Sequence, residues 1–369
     1  MAPVSQQNWG GPASYGQAPP APQWPAYGRP GVPGGGGGYP SAGFRQPSFG
    51  GGVPHYGPTP NAPGPRPRNP LRLLLVALIA VAALALLGLV VASLTAAPST
   101  VQYQNDDYKV PPPDANPPPI PVPDTYEQAQ DFVAKNRFYD QNAPIPVRCN
   151  SQPINVSTAD DAQLKAHFEG LMECLVRVWQ PPITSAGFEI VRPTVTIYSR
   201  EITTKCGKSD INAFYCSADQ QVYYSNLLPK ALPTVSANKW TADVVMAHEF
   251  GHALQGRTGI LVSAHALGQN SGDEATDLQY TRRLETQADC FSGMFIRAVS
   301  KSIGIDQTRD YPGIVAIYTA IGDDTLSHDP QVVGNHGLAR SRERWGNTGL
   351  GTSQVGRCNT FVAPANQVR

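Results

Sequence analysis

The first 72 of the 369 residues contain no aspartate or glutamate, only five basic residues: Arg29, Arg45, Arg66, Arg68 and Arg72. The remainder therefore holds 28 − 5 = 23 basic residues against 28 acidic ones. It is mildly acidic and has no basic face that would suggest nucleic acid. Cysteine is missing before position 149, and no C-x-x-C pair occurs anywhere. That argues against a cysteine-held metal and leaves Cys149, Cys174, Cys206, Cys216, Cys290 and Cys358 as an even set suited to three disulfides in an oxidising compartment. Only the local pair Cys206 and Cys216 can be matched from spacing, as the staple of one hairpin. No internal repeat is evident. Residues 1–70 also lack the apolar side chains of a core: Gly, Pro, Ser and Ala dominate, with a glycine run at 34–38. Such a stretch buries too little apolar surface to offset chain entropy and is expected to be a disordered tail.

After the tail comes an apolar run without charge over residues 73–94. It is long enough to cross a bilayer once, so 71–95 is expected to be a transmembrane helix. Arg66, Arg68 and Arg72 precede the run, and no basic residue occurs after it until Lys109. The positive-inside bias then puts the N-terminus in the cytoplasm and the rest of the chain outside the cell membrane, as a single-pass protein. A cleaved signal peptide fits the long leading tail and the length of the run less well. Residues 96–124, with proline runs at 111–113 and 117–119, read as an extended spacer. Residues 125–369 form the extracytoplasmic domain.

Within that domain the apolar spacing predicts a short helix over 126–138. A second has the stripe Leu164, Phe168, Leu171, Leu175 and Val178, stopped by Pro181 and Pro182. A strand is expected at 195–198 and a hairpin or bent strand over 214–224, of which 221–224 could present an edge to an extended peptide. Helices are expected next over 241–256, 278–299 and 314–321, with one more at 336–345. The fold class is α+β, mainly helical with a small β-sheet.

The helix at 241–256 carries His-Glu-Phe-Gly-His at 248–252. His248 and His252 are four residues apart, so both imidazoles leave one helix face and can reach one cation. Neutral imidazole suits zinc, and two such ligands with one carboxylate leave a tetrahedral position open, the arrangement of a hydrolytic site. Glu249 sits where its carboxylate can meet a water at the metal instead of the metal. A third histidine in the pattern H-E-x-x-H-x-x-G-x-x-H is excluded, because Gln255 and Thr258 occupy the Gly and His places. His265 lies in a loop by this reading. Glu285 is better placed, 33 residues after His252 on its own helix. Asp289, one turn further, could accept a hydrogen bond from a ligand histidine and fix its tautomer. A solvated helix face beside Arg282 and Arg283 is the plainer reading of both acids.

Paired with His248 and His252, the segment 284–291 (Leu-Glu-Thr-Gln-Ala-Asp-Cys-Phe) resembles the neutral zinc metallopeptidase family of bacterial membrane proteins. Further matches are Cys206, Gly207 and the Phe-Tyr-Cys at 214–216, then Ile-Gly-Asp-Asp at 321–324. His336, Gly337, Arg342, Trp345 and Cys-Asn-Thr-Phe at 358–361 complete them. The resemblance covers most of 140–362 and departs in the Pro/Gly-rich tail. It implies a zincin-like domain, Zn2+ held by His248, His252 and Glu285, and Glu249 as catalytic residue. It does not extend to the substrate.

The function expected is a membrane-anchored zinc peptidase acting on peptide or protein substrates outside the membrane, with Glu249 as the base. His336 is the first choice of oxyanion donor, with Tyr223 or Tyr224 behind it. The alternative is a non-catalytic envelope scaffold with a structural or vestigial metal. A third idea gives the tail cytoplasmic partners.

Overall fold

The structure, a computed structural model, describes residues 70–95 and 101–369. The expected tail at 1–69 and the start of the spacer at 96–100 lie outside those residues. Helix α1 (Pro70–Thr95) has 26 residues, about 39 Å at 1.5 Å per residue. It is long and apolar enough to cross a membrane. α1 and the body from Gln102 to Arg369 belong to separate compact units.

The body is mainly helical with two small sheets. Its first stretch corrects the spacer reading, because residues 104–121 are laid along the body. Gln104 N donates to Pro146 O at 2.8 Å, and Arg177 Nη1 donates to the carbonyls of Asp106 and Tyr108. Gln221 Nε2 donates to Asp114 O, and Arg257 Nη1 to Pro118 O. A proline-rich segment offers carbonyls but few N–H groups, so side chains of the body supply the donors.

α2 (Tyr126–Ala134) is shorter than expected and gives way to a 3-10 turn at Arg137–Asp140. α3 (Asp161–Ser185) starts at a capping box, with Asp160 and Gln163 bonding each other's backbone N–H. It runs through Pro181 and Pro182, which were expected to end it. Pro181 cannot donate to the carbonyl of Arg177, and Asn105 Nδ2 takes that carbonyl instead at 2.7 Å. The break is thus repaired by the segment laid alongside.

The strands are β1 (Val195–Tyr198), β2 (Ile202–Thr204), β3 (Gly207–Ser209), β4 (Ala213–Cys216) and β5 (Gln221–Ser225). β5 lies between a parallel β1 and an antiparallel β4, while β2 and β3 pair as a separate hairpin. The expected free edge at 221–224 is therefore the middle of the sheet. β1 and β4 are the edge strands of that sheet, and the Cys206–Cys216 disulfide ties the β2–β3 turn to the end of β4.

Two four-residue helices, α4 (Leu228–Ala231) and α5 (Pro233–Ser236), lead into α6 (Thr241–Arg257). α7 (Ile260–Asn270) replaces the expected loop around His265: Ile260, Leu261, Ala264 and Leu267 pack with Ala129, Val133 and Leu284. α8 (Glu274–Val299), α9 (Gln307–Ala320), α10 (Asp323–Ser327) and α11 (Ala339–Gly351) complete the body. The core centres on Phe138, Trp179 and Phe291, whose rings lie 5.5–5.9 Å apart. The remaining cysteines pair as Cys149–Cys174 and Cys290–Cys358.

Candidate metal centre

α6 and α8 cross at two small residues. A Cβ built on Gly251 would stand 2.9 Å from the Cα of Ala288, a distance real Cβ atoms do not reach. The glycine of the His-Glu-Phe-Gly-His stretch thus lets the two backbones touch. Glu285, one turn before Ala288, is thereby delivered to the histidines.

Two imidazole nitrogens and both oxygens of one carboxylate converge there. His248 Nε2 lies 3.2 Å from His252 Nε2 and 3.2 Å from Glu285 Oε2, and His252 Nε2 lies 3.5 Å from Glu285 Oε1. Around a tetrahedral zinc with bonds of about 2.0–2.1 Å, ligand atoms are about 3.4 Å apart. The three residues together form a group able to hold a metal ion. Two imidazoles and one carboxylate also make the donor set that zinc accepts while a fourth position stays open. His248, His252 and Glu285 fit the ion.

The far nitrogens of the imidazoles are engaged. His248 Nδ1 is 2.9 Å from Asp289 Oδ1, and His252 Nδ1 is 2.8 Å from Gln255 Oε1. Asp289 is fully buried, and Arg342 on α11 grips it with Nε at 2.9 Å and Nη2 at 2.8 Å. Arg342 Nη1 also donates to Ile321 O. Such a bidentate ion pair offsets much of the cost of burying both charges.

Charge in the cluster is strongly coupled. Burial alone would push the His248 imidazole down, but Asp289 and Glu285 outweigh it and lift it to about 10. For Glu285, burial works upward and is overcome by His252 and His248, so its carboxyl lies well below its ordinary range. Asp289 is likewise held low against burial, chiefly by Arg342. Without metal the cage is thus a proton-loaded set of opposite charges. Glu249 differs: burial dominates and raises its carboxyl despite the two histidines. Its Oε2 accepts from Tyr215 N at 2.9 Å, which anchors it to the edge strand β4.

His336 stands in the loop before α11 and is among the charges acting on Glu285. Asp323 binds it twice, Oδ2 accepting from its backbone N at 3.0 Å and Oδ1 facing its Nδ1 at 3.1 Å. The two tyrosines behind it as donor candidates are committed elsewhere. Tyr224 is buried against Phe168 in the core, and Tyr223 donates its hydroxyl to Asp219. His265 is not in the ligand group, although its imidazole feels both His252 and Glu285.

The roles of Gln255, Asp323 and the Tyr215 N–H escaped the reading of the sequence. Signals were there: Tyr215 and Asp323 lie in the Phe-Tyr-Cys and Ile-Gly-Asp-Asp stretches that carry the resemblance, and Gln255 sits three residues after His252 where the longer histidine pattern wants glycine.

A family model described as "Putative neutral zinc metallopeptidase" matches residues 134–361. The uncharacterized protein Rv2575 of Mycobacterium tuberculosis (strain H37Rv) is 28% identical over 205 residues, covering 50% of this chain and 67% of that protein. The uncharacterized protein YpfJ of Escherichia coli K12 is 31% identical over 198 residues, covering 50% of this chain and 66% of that protein. No solved structure matches.

Proposed function

Because the chain belongs to the putative neutral zinc metallopeptidase family, we propose that it hydrolyses peptide bonds in peptides or proteins with zinc held by His248, His252 and Glu285. The observation that carries this reading is the approach of two imidazole nitrogens to 3.2 Å of each other, each with a Glu285 carboxylate oxygen within 3.2–3.5 Å. When bound there, zinc supplies Lewis acidity, which brings the pKa of water towards about 7 and polarises a carbonyl.

Glu249 takes the proton of the attacking water on its carboxylate and delivers it to the leaving amine. Its raised carboxyl, sheltered from solvent, is suited to both halves of that transfer. The Tyr215 N–H fixes one carboxylate oxygen and so orients the other. His336 donates to the oxyanion that develops on the substrate carbonyl. Asp323 faces its Nδ1 at 3.1 Å and so orients the imidazole. Asp289 and Arg342 keep His248 in register with the metal.

The zincin-like assignment belongs to this same reading, with a catalytic domain from about 125 to 369. So does the placement of the domain outside the cytoplasmic membrane on α1, N-terminus inward. It is supported by the arginines before the apolar run and by three disulfides that all lie after it.

Glu249→Gln tests the mechanism. The variant is expected to fold and bind zinc like the natural chain while cleaving a peptide library about 10²- to 10⁴-fold more slowly. Equal cleavage by both proteins sinks the role of Glu249. Purified protein that takes up no zinc in its presence points instead to a non-catalytic envelope scaffold.

A further inference from the structure

The two imidazoles are held by different means, and the holder of His252 is the end of a longer chain of bonds. Gln255 and Gln287 are both fully buried. Gln255 Nε2 donates to Leu284 O at 2.8 Å and to Gln287 Oε1 at 3.1 Å. Gln287 Nε2 in turn donates to Cys358 O at 3.1 Å and to Tyr139 Oη at 2.9 Å. Tyr139 donates its own hydroxyl to Val133 O.

A backbone carbonyl can only accept, so each amide has one allowed orientation. Leu284 O requires the NH₂ end of Gln255, which turns Oε1 towards His252. Cys358 O requires the NH₂ end of Gln287, which turns its Oε1 towards Gln255. An amide oxygen at His252 Nδ1 demands a proton on that nitrogen. The nitrogen then available to a metal is Nε2, the one that meets His248 and Glu285.

Resting on the zinc reading above, we infer that Gln255 and Gln287 are positioning residues that select the metal-binding nitrogen of His252 and set zinc affinity through it. The relay is anchored at Cys358, which its disulfide to Cys290 ties to α8. The C-terminal segment beyond α11, remote from the motif in sequence, thereby supports the metal site.

Zinc affinity of the full-length chain in detergent, measured by competition with a chromophoric chelator, tests this without reference to hydrolysis. Gln255→Met is expected to weaken zinc binding about ten- to hundredfold, the usual cost of losing a partner of a ligand histidine. Gln287→Met, which touches neither imidazole, is expected to weaken it severalfold by freeing the Gln255 amide. Imidazole nitrogen shifts of the zinc-loaded natural chain are expected to show Nε2 bound and a slowly exchanging proton on Nδ1 of His252. That exchange quickens in both variants. Ser292→Ala breaks a different buried bond between the same helices, from Ser292 Oγ to Val244 O. It should lower stability and leave zinc affinity alone. If Gln255→Met does not fold, Gln287→Met decides alone. Variants that are less stable yet bind zinc within twofold of the natural chain, with Nδ1 exchange unchanged, overturn the assignment.

Discussion

Asp289 is the residue on which two functions meet, since one carboxylate faces a candidate ligand and neutralises a buried guanidinium. Asp289→Asn leaves Arg342 without its counter-charge and is expected to cost about 3–5 kcal/mol, the range for breaking one side of a buried pair. Urea denaturation checks that. Zinc binding should fall as well, about ten- to hundredfold. The same cluster makes a statement about pH. His248 is raised to about 10 in the metal-free fold, above its value of about 6.5 in an unfolded chain. Its contribution to the stability of metal-free protein is therefore complete below about 6.5 and lost as pH climbs through about 10. Zinc has to displace that proton, so its apparent affinity should increase with pH between about 6 and 9. Calorimetry in two buffers of different ionisation heat reads the protons released. A pH-independent affinity would contradict the charge state assigned to the cage.

At the scale of elements, the crossing of α6 and α8 is the feature a mutation can spoil most simply. Gly251→Val places two methyl groups where even a Cβ is too close to Ala288. Overpacking of this kind costs about 1–3 kcal/mol or more. It also moves Glu285 away from the histidines, so thermal denaturation and zinc titration should both register the change. α8 is pinned as tightly on its other side, where a Cβ on Gly293 would meet Gly346 O of α11 at 2.3 Å. α11 must come that near for Arg342 to reach Asp289. The longer helices, α7 excepted, were legible from apolar spacing. Their crossings were not, because a glycine in a helix reads only as a mild loss of helical propensity until its neighbour is known.

For the whole molecule, the disulfides and the membrane segment belong to one account. Reduction of Cys290–Cys358 is expected to remove about 2–5 kcal/mol of stability. It should also lower zinc affinity, because the relay from His252 ends on Cys358. Comparing oxidised and reduced protein in a chelator competition checks both effects. If α1 anchors the chain with the N-terminus inward, protease added outside intact spheroplasts should remove the body and spare a tag at residue 1. A protected body would reverse the orientation.

The sequence by itself determined what is local. Four-residue spacing puts two histidines on one helix face, an apolar run of sufficient length makes a membrane-competent helix, and an even number of cysteines confined to the later part makes disulfides. Each comes from the geometry of a single element or from counting. Tertiary structure alone decided that β5 lies inside the sheet, since an alternating strand looks alike at an edge and in the middle. Only there, too, did the proline-rich segment prove to be laid on the body: a string of carbonyls has no stable place until Arg177, Gln221 and Arg257 arrive from elsewhere to donate to it. The same holds for Gln255, whose amide has a defined direction only because Leu284 and Cys358, 29 and 103 residues further along the chain, present carbonyls to the relay.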